Sequence, residues 1–198
     1  MLQQLLDFMF PPQCGGCDRI GTGICEVCLP ANQKIFTTTK SMHVRALASY
    51  DGPVRRAILA LKDGRRDVGT AFGERLASLC APGMILVPVP TTSSRRRMRG
   101  FDGAELLAAW AASRSAASVR CVLSQIAGDA QRGRSRSARL AARGRFRCLR
   151  SVDELRCVLL DDVMTTGATL EDCAATLRAS GAIVDHAIVI ALSEAGRH

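Results

Sequence analysis

Residues 157 to 170 constrain this chain more than any other stretch. They read Cys-Val-Leu-Leu-Asp-Asp-Val-Met-Thr-Thr-Gly-Ala-Thr-Leu. Val158 to Leu160 is a short apolar run with the character of a buried strand. Asp161 and Asp162 fall where that strand should end, and Thr165-Thr166-Gly167-Ala168-Thr169 supplies a small, hydroxyl-rich turn. Behind the turn a helical pattern runs from Leu170 through Cys173, Ala174 and Leu177 to a stop at Ser180-Gly181. A chain built on strand, acidic pair, small-residue loop and helix belongs to the α/β class.

The order has a physical use. A loop feeding a helix N-terminus exposes unpaired backbone N–H groups and the positive end of the helix dipole, which suits a phosphate. Gly167 allows close backbone approach, and Thr165, Thr166 and Thr169 add hydroxyl donors without bulk. The acidic pair would repel a phosphate but suits a sugar diol, whose hydroxyls donate to carboxylate oxygens. A ribose 5-phosphate satisfies both halves. Leu159 to Thr169, Leu-Leu-Asp-Asp-Val-Met-Thr-Thr-Gly-Ala-Thr, resembles the phosphoribosyl-pyrophosphate (PRPP) loop of the type I phosphoribosyltransferases. The bland alternative is a strand ending in a solvated acidic turn that caps a helix. The eleven-residue order makes the PRPP-type site the better reading.

The chain has 198 residues, room for one domain with a small appendage, and 47% hydrophobic residues can furnish a core. No apolar run is long enough to span a bilayer. Residues 1–10 lack the basic flank and cleavage site of a signal peptide and read as a short amphipathic helix ended by Pro11-Pro12, so a cytoplasmic protein is expected. The formal charge is +9, carried almost wholly by arginine. A basic surface suits phosphate-bearing partners, from a small pyrophosphate to a nucleic acid, and codon bias is an equal explanation. Aromatics at 4% argue against base-stacking platforms.

Cys14-Gly15-Gly16-Cys17 and Cys25-Glu26-Val27-Cys28 form two C-x-x-C knuckles, a spacing that suggests one four-thiolate zinc site. Disulfides, a redox motif and an iron–sulfur cluster are the alternatives. Metal binding would supply the folding energy of so small a ribbon. Cys80, Cys121, Cys148, Cys157 and Cys173 stand among apolar neighbours and read as small buried hydrophobes. The predicted domains are residues 1–36, a helix and four-Cys zinc ribbon, and residues 37–198.

Residues 30–42 read as a linker or edge strand and 44–50 as a strand. Pro53 opens a helix with Val54, Ile58 and Leu61 on one face, closed by Lys62-Asp63-Gly64, where Lys62 reads as a solvated helix-end charge. A second helix is expected over 68–79, carrying Phe72, Leu76 and Leu79 inward. Residues 85–90 read as a strand interrupted by Pro88 and Pro90. Thr91 to Asp102 reads as a basic loop before a helix over 103–112. Arg95, Arg96, Arg99 and Gly100 in it are candidates for pyrophosphate contact. Residues 119–123 read as a strand, and 129–147, holding Arg139, as a charged loop able to act as a lid. Residues 183–191 are apolar throughout, as an interior parallel strand should be.

The knuckle pair, Tyr50-Asp51-Gly52 before a helix ending in Leu61-Lys62, Val87-Pro88-Val89-Pro90, Arg99-Gly100-Phe101, the Gln131 to Arg139 segment and the PRPP loop together resemble the ComF family of competence-associated, phosphoribosyltransferase-like proteins. The resemblance covers nearly the whole chain. It implies a type I phosphoribosyltransferase fold, a parallel sheet flanked by helices, and a link to uptake of transforming DNA. The family usually has Asn where Asp102 stands, and tends to have Asn where Ala142 stands.

Two readings follow. In the first the chain is an enzyme. Asp161 and Asp162 bind the ribose hydroxyls, with Mg²⁺ bridging ribose and pyrophosphate. Thr165, Thr166, Gly167, Ala168 and Thr169 hold the 5-phosphate. Arg95, Arg96, Arg99 or Arg139 stabilises the departing pyrophosphate. In the second it binds PRPP or a nucleotide without turnover and docks single-stranded DNA or proteins of the uptake machinery.

Overall fold

The computed structural model describes residues 11–31, 33–126 and 145–194, with the side chain of Arg95 excepted. The helix expected over residues 1–10, and Arg139 with the rest of 127–144, lie outside the described residues.

Six strands form the main sheet: β1 (Ile35–Thr38), β2 (His43–Ser49), β3 (Ile85–Pro88), β4 (Ser118–Val119), β7 (Arg156–Met164) and β8 (Ile183–Leu192). Their spatial order is β1-β2-β8-β7-β3-β4, with β1 antiparallel to β2 and every other pair parallel. Two further strands, β5 (Leu123–Gln125) and β6 (Phe146–Cys148), pair antiparallel as a separate ribbon. The mostly parallel, helix-flanked sheet is the α/β architecture expected from the sequence.

The helices divide between the faces. On one face α1 (Gly52–Lys62), α2 (Arg66–Leu76) and α4 (Gly103–Ser115) bury Ile58, Phe72 and Leu107 against Leu86, Val158, Leu160 and Ile188. On the other, α5 (Ala168–Arg178) and the β5–β6 ribbon bury Leu177, Val122 and Phe146 against Val87, Leu159 and Val189. Alternation along β7 follows from the period of two: Val158 and Leu160 face α1 and α4, while Cys157 and Leu159 face α5. Parallel strands covered on both faces explain the unbroken apolar runs of β7 and β8.

Several expectations need correction. The central strand does not end at Leu160. β7 runs to Met164, because Asp161, Val163 and Met164 find ladder partners in Val189, Ala191 and Leu192 of the long β8. The basic loop after β3 is largely a helix, α3 (Ser93–Arg99), ended at Gly100 with φ +75°. The strand expected over 119–123 is two pieces, β4 in the main sheet and β5 in the ribbon. Phe146 to Cys148, where the charged loop was expected to end, is strand β6. Cys157 and Cys173 are buried as read, but Cys121 is exposed.

Candidate functional site

β7 delivers two adjacent carboxylates to the carboxyl edge of the sheet. Residues one apart on a strand point to opposite faces, so Asp161 continues the Leu159 side toward α5 and Asp162 the Leu160 side toward α1. Both border one cavity of about 380 Å³, inside the range of small-ligand sites. Its other walls come from Lys62 on α1, Val89 to Thr92 after β3, Arg99 to α4 (Arg99, Asp102, Gly103, Ala104), Gln125, Arg145 and Phe146 of the ribbon, and Thr169 on α5.

The acidic pair is held under electrostatic tension. Asp161 Oδ1 accepts the Asp162 backbone N–H at 2.8 Å. Burial first, then the Asp162 charge, pushes the Asp161 carboxyl well above the usual carboxylate range, against the pull of that hydrogen bond and of Lys62. Lys62 Nζ lies 3.1 Å from Asp162 Oδ2, with side-chain exposures of 28% and 21%. The lysine that reads as a solvated helix end is thus a partly enclosed counter-ion in the cavity. Its signal in the sequence, a Lys closing an apolar-striped helix, is the same for both roles.

The turn behind the carboxylates keeps its predicted shape. Gly167 is the N-cap of α5 at φ +77°, and an added Cβ would stand 2.8 Å from Thr39 Cγ2. Thr166 Oγ1 accepts the Ala168 N–H at 3.4 Å. Thr165, Thr166 and Ala168 are exposed on the turn between Asp162 and Thr169, both of which border the cavity. The first N–H groups of α5 have no intrahelical partners and carry the positive end of its dipole.

The arginine candidates separate. Arg99 borders the cavity, and its Nε is buried with no hydrogen-bond partner. Arg96 pairs with Glu105 at 3.1 Å and does not border the cavity, nor does Gly100. The Arg95 side chain and all of Arg139 lie outside the described residues. Asp102 is 3% exposed, the one charged residue buried among the described residues. Its Oδ1 accepts the N–H groups of Ala104 and Glu105 as the cap of α4, and its Oδ2 accepts the Thr91 N–H at 2.9 Å. The acid in this position is therefore a tie between the β3 loop and α4.

Gln125 and Phe146 are cavity residues that the sequence did not single out, and Arg145, expected in the charged loop over 129–147, joins them in the cavity wall. Arg145 Nε donates to Asp172 Oδ2 at 2.8 Å and its guanidinium lies 6.0 Å from the Phe146 ring centroid. The ribbon that brings them in rests on ladders of three residues between segments far apart in the chain.

The four knuckle sulfurs gather at a second place. All of Cys14, Cys17, Cys25 and Cys28 Sγ lie within 4.8 Å of one another, and Cys17 and Cys25 Sγ are 3.7 Å apart. A tetrahedral ion with metal–sulfur bonds of about 2.3 Å sets sulfurs about 3.8 Å apart, so the donor set fits a single metal ion. All four are free thiols rather than disulfides. Burial pushes the Cys14 thiol up, but the N–H donors of Cys25, Gly16 and Cys17 outweigh it and bring it down to about 6. Burial and the neighbouring sulfurs push Cys28 up. The module packs hard on α1 and α2: a Cβ on Gly15 would meet Ala57 Cα at 3.0 Å, and one on Gly23 would meet Asp67 O at 2.4 Å. Arg56–Asp18 at 2.9 Å and Arg75–Glu26 at 2.6 Å bridge the same seam.

No protein-family model matches the chain, and no curated protein matches it. Among solved structures, it is similar to a glutamine PRPP amidotransferase from B. subtilis complexed with ADP and GMP, at 21% identity and a TM-score of 0.48 over 62% of this chain. It is also similar to a structure described as the allosteric regulatory enzyme of purine biosynthesis, at 22% identity and a TM-score of 0.44, again over 62% of this chain. The chain spans 26% of the length of each of these proteins. Among the described residues no helix is long and apolar enough to cross a membrane.

Proposed function

We propose that the cavity at the carboxyl edge of β3 and β7 binds PRPP and that the chain is a type I phosphoribosyltransferase-like protein. The observation that carries the reading is the joint placement of Asp161, Asp162, Thr169 and Arg99 around one cavity, with the α5 turn directly behind the carboxylates. The N–H groups and hydroxyls of Thr165 to Thr169 hold the 5-phosphate. Asp161 and Asp162 accept the ribose hydroxyls, which relieves their mutual repulsion. Arg99, which borders the cavity, and Arg139 hold the pyrophosphate. Catalysis on this reading is positioning plus electrostatics at a sugar carbon that gains positive charge as pyrophosphate leaves.

Two carboxylates facing one cavity suit a hard divalent cation. Asp161 and Asp162 would hold Mg²⁺, which supplies charge neutralisation to the bound pyrophosphate. Zinc is the ion proposed for the four thiolates of a module spanning residues 1–36, from their number and spacing. The resemblance to the ComF family extends the proposal to a cytoplasmic protein of natural competence, with single-stranded DNA and uptake-machinery proteins as partners.

The test is calorimetric titration of zinc-loaded protein with PRPP and Mg²⁺. Binding that is lost in Asp161→Asn/Asp162→Asn supports the reading and justifies a screen of acceptor bases for pyrophosphate release. Undiminished binding in the double variant, or no binding at millimolar PRPP, removes it. For DNA, binding that falls steeply with salt supports the partner; absent or salt-insensitive binding excludes it.

A further inference from the structure

The cavity has two sides, and strand alternation decides what each can do. The 5-phosphate turn lies on the α5 side with Asp161, whereas Asp162 faces α1. A phosphoribosyl ligand seated on that turn and crossing the carboxylates ends on the side of α1 and of Arg99, which precedes α4. Its far end there is the group on C1.

The charged groups bordering the cavity are Lys62, Arg99, Arg145, Asp102, Asp161 and Asp162. Asp102 is committed to three backbone N–H groups. Arg145 comes from the β6 ribbon on the α5 side and donates through Nε to Asp172 on α5. Of the described cations, Lys62 and Arg99 border the α1 side of the cavity, and Lys62 sits on the wall to which Asp162 points, 3.1 Å from its Oδ2. The backbone of Lys62 is fixed. Asp63, Gly64 and Arg65 N–H groups close the end of α1 on Leu59, Leu61 and Ala60 carbonyls. The other end of α1 is wedged against the knuckle, where a Gly16 Cβ would meet Pro53 Cβ at 3.0 Å. Only the four-carbon stem can move, and an ammonium on such a stem redirects its donors readily.

We propose that Lys62 is the residue by which this cavity distinguishes a ribose carrying a pyrophosphate on C1 from one without it. In the structure its ammonium is the counter-ion of Asp162. When Asp162 turns to a cation or hydroxyl of the ligand, the ammonium passes to a pyrophosphate oxygen. A ribose 5-phosphate offers no such oxygen, so it takes Asp162 from Lys62 and gives the ammonium nothing in return. This role rests on the PRPP reading of the cavity.

The experiment titrates wild type, Lys62→Gln and Lys62→Arg with PRPP and, separately, with ribose 5-phosphate, all with Mg²⁺, with thermal unfolding run alongside. A charge-assisted hydrogen bond implies that Lys62→Gln weakens PRPP about ten- to hundredfold, while ribose 5-phosphate changes less than about threefold. Lys62→Arg, which keeps the charge, retains the preference for PRPP and stands in if the Gln variant does not fold. Equal weakening of both ligands would make Lys62 a support for Asp162 alone and overturn the proposal, as would no change in either. If wild type binds neither ligand, the cavity reading itself fails; if wild type binds both and the variants do not separate them, only the role of Lys62 fails.

Discussion

Gly167 gives the sharpest test of the turn that is proposed to hold phosphate. Its φ of +77° lies in the left-handed region, where a side chain costs about 1–2 kcal/mol. An added Cβ would also stand 2.8 Å from Thr39 Cγ2, inside contact distance, and 3.6 Å from Met164 Sδ, at contact. Overlap of this kind in a packed region adds about 1 kcal/mol or more. Gly167→Ala should therefore destabilise by about 2–3 kcal/mol, which for a chain of this size lowers the melting temperature by roughly 4–12 °C. Thr39→Ser separates the two causes. It deletes the clashing methyl and keeps Oγ1, which accepts the Met42 N–H at 3.2 Å. In the Thr39→Ser background Gly167→Ala should cost only the backbone strain, giving a coupling of about 1 kcal/mol in a double-mutant cycle. The assay is denaturant or thermal unfolding of the four proteins. A cost below about 0.5 kcal/mol, or one identical in both backgrounds, would refute the geometry assigned to this turn.

Asp102→Ala should destabilise by about 2–4 kcal/mol, the loss of a helix cap plus an unpaired Thr91 N–H, measured by urea unfolding; a loss under about 1 kcal/mol would count against the tie. Glu171 accepts from Ser41 N and Oγ at 2.9 and 2.7 Å. Burial pushes its carboxyl up, but Thr39 and Ser41 outweigh it and hold it below the usual value. A depressed folded-state value means stability present above the unfolded pKa and lost as pH falls through the folded one. Melting temperature should thus drop as pH falls below about 4.3, and Glu171→Gln should flatten that drop; an unchanged pH profile would contradict it. Chelation of the four-thiolate ion should lower the melting temperature and expose the seam between the knuckles and α1 and α2 to hydrogen exchange, because the module has little core of its own. Protection unchanged by chelation would mean that the thiols hold no ion.

What can be read from the sequence is local. Pro53 with Val54, Ile58 and Leu61 marks α1, and the small residues before Leu170 mark the entry to α5, because helix starts and turn chemistry are written in neighbouring residues. The paired cysteines announce their cluster by spacing alone. What escapes depends on distant partners. Asp161 and Asp162 lie inside β7 because β8 is ten residues long and supplies a ladder beyond Leu160. Gln125 and Phe146 come together through a ribbon whose strands are too short to stand out against the surrounding polar residues. Lys62 meets Asp162 from a distant part of the chain, with no local sign of it. The Arg-rich segment before Gly100 reads as a loop by its charge, yet arginine is a good helix former and Ser93 to Arg99 is helical.

The central claim is that one ligand spans the α5 turn and the β7 carboxylates. Its most direct test is a crystal structure of the zinc-loaded protein with PRPP and Mg²⁺. The account predicts the 5-phosphate on the N–H groups and hydroxyls of Thr165 to Thr169, the ribose hydroxyls on Asp161 and Asp162, and the pyrophosphate toward Lys62 and Arg99. A ligand bound away from the turn, or a cavity that stays free of PRPP in crystals grown at millimolar concentration, would contradict it.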